Sequence, residues 1–180
     1  FGLKLLERRG SFPAYDRFIE QCRGIWADLV DIRKRFEPVA ERIARSYALA
    51  PYTMFVGSGA LWGETILFAM CILEEMQWKR TRYISSADFF HGTLELVEEG
   101  VPVVLFKGVD EYRKLDDRVE AFLKSGRTGD DDVVVIDVDE FATPSIDKEF
   151  RTIVSPWILS SLVTDRVSAY YETVTKHNLN

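Results

Sequence analysis

Two nearly unbroken apolar runs, Val101–Phe106 and Val133–Val138, constrain this chain more than any other feature of its sequence. Both are rich in β-branched residues and lack the polar alternation of a half-exposed strand, the pattern of strands buried on both faces. Between them, Tyr112–Lys124 carries Leu115, Val119, Phe122 and Leu123 at helical spacing. A buried strand, a helix and a second buried strand make the repeating unit of a parallel sheet, because parallel neighbours require a crossover. Tyr52–Val56 and Arg82–Ser85 read as two further strands around a long apolar helix, Leu61 to about Trp78. A last helix is predicted from Pro156 to about Thr175, and Ser125–Asp132 is a Gly- and Asp-rich surface loop. The prediction is an α/β fold, a three-layer doubly wound parallel sheet.

The first fifty residues have a different texture. Phe18, Ile19, Cys22, Ile25, Trp26, Leu29 and Ile32 recur every three or four positions, an amphipathic stripe. Pro38 is predicted to open a second helix, with Val39, Ile43 and Tyr47 on its apolar face. A helical pair of this kind suits a connector between modules, so residues 1–50 are read as a helical linker and 51–180 as the α/β domain. The chain starts at Phe1 and not Met, as a piece of something longer does. Net charge is −6 over 180 residues, which argues against a binder of nucleic-acid backbones. No apolar run approaches the roughly 18 to 20 residues of a membrane span. Cys22 and Cys71 are too few for a disulfide framework, which points to a reducing, cytoplasmic setting.

Three features carry chemistry. Gly57-Ser58-Gly59 sits between a strand and a helix, where backbone amides approach ligands and a helix start favours anions. It is not a dinucleotide fingerprint, since Trp62 holds the third glycine position, and no Walker lysine follows. The competing reading is a tight turn without a ligand. Glu75 lies one turn beyond Cys71 on the apolar helix, so an α-helical wheel buries it, and a buried carboxylate is paired, protonated or functional. A general base or a salt bridge to Arg80 or Arg82 both satisfy that position; neighbouring Glu74 reads as a surface residue. His91 follows Asp88-Phe89-Phe90 and precedes Gly92, near a predicted helix start that keeps an imidazole neutral. An exposed loop histidine is the plainer alternative. His177, in the polar tail, reads as solvated, and Cys71 as a core thiol. No residues show metal-ligand spacing. The apolar helix from Leu61, with Trp157, Tyr170 and Tyr171, points to a homodimer.

The runs Phe55-Val56-Gly57-Ser58-Gly59, Leu73-Glu74-Glu75-Met76-Gln77-Trp78 and Ser85-Ser86-Ala87-Asp88-Phe89-Phe90-His91-Gly92 resemble a sugar isomerase (SIS) domain, of flavodoxin-like design. More closely, they resemble the second SIS half of fructosamine-6-phosphate deglycases, relatives of the isomerase part of glucosamine-6-phosphate synthase. Glu98–Phe106 and Asp110–Arg118 continue the similarity, which spans essentially the whole chain. Its most specific element is the glutamate followed, 16 positions later, by the histidine of His-Gly.

The resemblance implies that Glu75 moves a proton between C1 and C2 of an open-chain sugar phosphate. It implies that His91 assists ring opening and proton transfer, in dimers from the neighbouring subunit. No metal or organic cofactor is implied, and the implied partners are a sugar-phosphate substrate and a second copy. Thr93 replaces the family's usual proline after His-Gly, which implies a looser loop, and Glu95 stands where relatives carry an acid. The resemblance implies that the family's first half, with its phosphate-binding loop, is missing from this sequence and that its basic and aromatic tail is cut short at Asn180. An aldose–ketose isomerase, an amidotransferase's isomerase half and a non-catalytic sugar-phosphate sensor are the alternatives.

Overall fold

The structure, a computed structural model, describes residues 1–141 and 143–179; Asn180, where the resemblance places the shortened tail, lies outside the described residues. Four strands, β1 (Thr53–Gly57), β2 (Thr81–Ser85), β3 (Val103–Lys107) and β4 (Val133–Asp137), form one sheet in the order β2-β1-β3-β4. All three pairings are parallel, as the solid apolar runs require. β1 pairs with β2 from Thr53 opposite Thr81 to Gly57 opposite Ser85, so these strands start and end together.

Alternation along the strands feeds two separate cores. Phe55, Val104, Phe106 and Ile136 pack on α3 (Ile25–Tyr47), α6 (Arg151–Leu162) and α7 (Ser168–Thr175). Met54, Val56, Val103 and Leu105 pack on Val119 and Leu123 of α5 (Arg113–Leu123), and on Phe89 and Val97. Residues 1–50 form α1 (Gly2–Arg8), α2 (Tyr15–Cys22) and α3. Phe18, Ile25, Ile32, Phe36 and Ile43 are buried in the same cluster as the sheet's first face, so α3 is a layer of the fold.

Both prolines sit differently from their predicted places. Pro38 lies inside α3 and opens no new helix. It leaves the carbonyl of Lys34 without an N–H partner, but both residues are on the exposed side, where water replaces that bond. The last helix starts at Arg151, upstream of Pro156. Ser155 Oγ donates to the Thr152 carbonyl at 3.0 Å, filling the vacancy that Pro156 creates. Trp26, 71% exposed, and Ile19 also fall off the buried stripe that their spacing predicted.

The helix after β1 holds the most consequential difference. It begins as α4 (Trp62–Ile66), continues as a π-wound segment over Leu67–Met76, and closes with Gln77 N donating to the Ile72 carbonyl, a bond that spans five residues. Bonds to i+5 put more residues in each turn, so positions read on a 3.6-residue wheel rotate progressively out of place. Phe68, Ala69 and Leu73 are buried, whereas Met70 and Glu75 are exposed. The helix is apolar almost all round and covered on one side only.

Candidate active site

The strands end in a set of turns at the carboxyl edge of the sheet, where open α/β sheets bind ligands. Gly59 has φ +55°, the left-handed region that favours glycine, and a Cβ there would collide with the carboxylate of Asp110. That carboxylate accepts from the backbone amides of Ala60 (2.6 Å) and Tyr112 (2.9 Å). A second carboxylate, Asp116 of α5, is wholly buried. Its Oδ1 accepts from Ser58 Oγ and Ser86 Oγ, both at 2.6 Å, and its Oδ2 from the Gly108 amide at 3.1 Å. One side chain thus ties the turns after β1, β2 and β3. Burial pushes the Asp116 carboxyl above the usual carboxylate range, the two serine hydroxyls and the Gly108 amide working against it.

The turn at Gly57-Ser58-Gly59 therefore exists as predicted, but the Ser58 hydroxyl and the Ala60 amide are spent on the protein's own carboxylates. Asp116 was missed in the sequence, although a signal was present: it sits three and seven residues before Val119 and Leu123, on the buried stripe of α5. Next to it, Lys107 is buried and pairs with Asp117 (2.8 Å) and Glu120 (2.6 Å). Burial alone lowers the Lys107 pKa, but these two carboxylates outweigh it and raise it. Arg113 grips Asp137 through both terminal nitrogens of its guanidinium.

His91 is exposed on the loop after β2, one residue before Gly92 caps a short 3₁₀ turn over Thr93–Leu96. The loop is firmly held despite Thr93. Phe89 is buried against Phe90 and Phe122, Ser85 and Asp88 hydrogen-bond each other, and the Thr93 hydroxyl accepts from Arg82 at 3.3 Å. Glu95 pairs with Arg127 at 2.8 Å.

Glu75 lies at the other edge. Its neighbour Glu74 accepts from Thr81 Oγ1 at 2.6 Å, and Thr81 is the first residue of β2. Glu75 is exposed, contrary to its predicted burial, and among the described residues it pairs with neither Arg80 nor Arg82. It opens into a cleft of about 750 Å³ shared with Trp78, Lys176 and His177. His177 is half-buried and not fully solvated: its ring centroid lies 4.2 Å from that of Trp78. Within one chain, then, the structure does not bring Glu75 and His91 together; a strand length, on the order of 15 Å, separates their edges. Tyr171, expected at an interface, is core. Among the described residues, no group of three or more His, Cys, Asp or Glu side chains is arranged to hold a metal ion, and no helix is long and apolar enough to cross a membrane.

This arrangement of sheet and helices is the fold of phosphosugar isomerase, or SIS, domains. A Bacillus subtilis structure described as a putative phosphosugar isomerase superposes with a TM-score of 0.90 over 97% of this chain and 52% of its own, at 24% identity. Among proteins of known name, the chain is similar to fructosamine deglycase FrlB of Bacillus subtilis, 27% identical over 166 residues, 89% of this chain. It is also 43% identical over 70 residues to fructoselysine 6-phosphate deglycase of Escherichia coli, covering 39% of this chain and 20% of that protein. The chain spans about half the length of FrlB, 47%. No family model matches it.

Proposed function

We propose that this chain is the proton-transfer half of a sugar-amine 6-phosphate deglycase, with Glu75 as the base. The observation that carries the reading is a carboxylate at a cleft, unpaired among the described residues, on the first helix after β1. The names of its relatives supply the reaction class. Glu75 removes a proton from C1 of the open-chain ketosamine and gives an enaminol; reprotonation at C2 forms an aldose imine. Water then adds to the imine carbon, and the carbon–nitrogen bond breaks to release glucose 6-phosphate and the free amine. Carboxylate and imidazole suffice for these transfers, each typically worth about 10²- to 10⁴-fold in rate.

His91, the proposed second proton carrier, reaches Glu75 only from another copy of the chain, because the two residues lie at opposite edges of one sheet. A homodimer follows from that separation, and the uncovered apolar side of the helix at Met70 and Cys71 fits such an assembly. In this reading, Gly57, Ser58 and Gly59 shape the carboxyl edge around substrate, while Asp110 and Asp116 deny that edge the strongest anion contacts. The main grip on phosphate belongs to another part of the complete protein. Two free thiols, Cys22 and Cys71, suit a cytoplasmic enzyme. A coupled assay for glucose 6-phosphate release from fructosamine 6-phosphates, run on the complete protein, tests the proposal. Release that survives Glu75→Gln at the normal rate removes Glu75 from the base's role.

A further inference from the structure

Glu75 lines its cleft because the helix that carries it is not α-wound. An α-helical wheel puts that residue on the buried side, and the wider turns over Leu67–Met76 bring it out. Such winding is rare in proteins and, where present, frequently marks a functional site. What fixes this helix end lies partly beyond the helix itself.

The closing bond of the π-wound segment runs from the Gln77 amide to the Ile72 carbonyl, at 3.1 Å. The side chain of the same residue, 2% exposed, grips the segment after α7. Gln77 Nε2 donates to the His177 carbonyl and Thr175 Oγ1 donates to Gln77 Oε1, each at 2.8 Å. The His177 amide in turn donates to Thr175 Oγ1 at 3.2 Å, which completes a cycle. Each member has one orientation there, because a carbonyl only accepts and a hydroxyl has a single proton. The residues beside the cycle, Trp78 at φ 53° and Lys176 at φ 59°, keep left-handed backbones that side chains rarely adopt. Outliers of this kind persist only where their surroundings fix them, and Gln77 is the side chain that joins the two. On the other flank of the helix end, Glu74 is tied to Thr81 of β2. Glu75 lies between these two ties.

We propose that Gln77 is a positioning residue for Glu75, its amide pinning the π-wound helix end to the segment after α7 and so keeping the carboxylate in the cleft. This rests on Glu75 being the base. Without the pin, the helix end relaxes toward α winding and swings the carboxylate away, while the groups that bind substrate stay in place. The test measures turnover of the complete protein well below its melting transition. Gln77→Leu, a side chain of similar size, should lower kcat about ten- to a hundredfold, the cost of misplacing a reacting group by about 1 Å, with KM held within about twofold. Thr175→Val removes one bond of the cycle and should lower kcat in the same way, and Thr175→Ser should restore it; this pair decides the matter if Gln77→Leu does not fold. Adding Gln77→Leu to Glu75→Gln should slow the residual turnover no further, because an absent base cannot be misplaced. Losses that multiply overturn the proposal, as does an unchanged kcat in both Gln77→Leu and Thr175→Val. A rise in KM alone also overturns it, assigning Gln77 to substrate binding. Normal turnover by Glu75→Gln, in which Gln77 is intact, defeats the base assignment instead.

Discussion

The two edges of the sheet handle their polar groups in opposite ways. At the carboxyl edge, the donors around Asp110 and Asp116 are matched within the chain: two serine hydroxyls and three backbone amides meet two carboxylates. At the amino edge, Glu75 and Lys176 face one cleft without ion-pair partners among the described residues, beside a strained and exposed Trp78. Satisfied buried networks hold a structure together, whereas charges left without partners at a cleft are available to a ligand. The usual location of ligands in open α/β sheets points to the first edge, whereas the proton transfer proposed for Glu75 uses the second.

Substitutions at the two edges should therefore fail differently. The largest effect expected is on turnover. Glu75→Gln in the complete protein should lower kcat by roughly 10³-fold and leave the melting temperature unchanged, because the side chain is exposed and unpaired; a lowered melting temperature would make Glu75 structural. Next comes a mixing experiment on the separation of Glu75 from His91. Glu75→Gln and His91→Asn proteins, each inactive alone, should recover about a quarter of normal activity when their subunits exchange, since half the dimers then carry one intact site of two. No recovery would rule out a site shared between copies.

At the carboxyl edge, Asp116→Ala should cost about 2–3 kcal/mol in urea denaturation, because three donors lose their acceptor in a buried place. An unchanged midpoint would mean that water replaces the carboxylate there. The pH dependence follows from the raised pKa of Asp116. A carboxyl that binds its proton more tightly folded than unfolded contributes stability below the unfolded value, near about 4, and loses it as pH rises through the folded value. The stability of wild type relative to Asp116→Asn should accordingly decline as pH rises above about 4, and a flat difference curve would contradict the assignment. The smallest effect is expected from Asp110→Ala. It frees the Ala60 and Tyr112 amides and should raise the affinity of the turn for inorganic phosphate a few-fold, read by titration calorimetry. Unchanged affinity would show that the turn is no anion cradle even when open.

Much of the fold was legible because it rests on short-range patterning. The solid apolar runs that became β3 and β4 can bury both faces only in a parallel sheet, and α5 between them repeats at 3.6 residues. The glycine turn after β1 was legible too. The site was harder to read. Glu75 was predicted on an α-helical wheel, and π winding over Leu67–Met76 rotated it into solvent. Asp116 carried a stripe signal, yet its partners Ser58 and Ser86 come from turns 58 and 30 residues away. His177 looked like part of a polar tail because nothing local shows that Gln77, 100 residues earlier, hydrogen-bonds its backbone.

By itself, the sequence determined the class of the fold and the residue types available for proton transfer, since periodicity and composition act within a few turns of chain. Tertiary structure decided which of those groups share a space. It set Glu75 beside Lys176 and His177 and a strand's length from His91. It also closed the glycine turn with two carboxylates from the segment after β3. Those outcomes depend on how parallel crossovers stack distant segments at the two edges of a sheet, and no local pattern encodes that meeting.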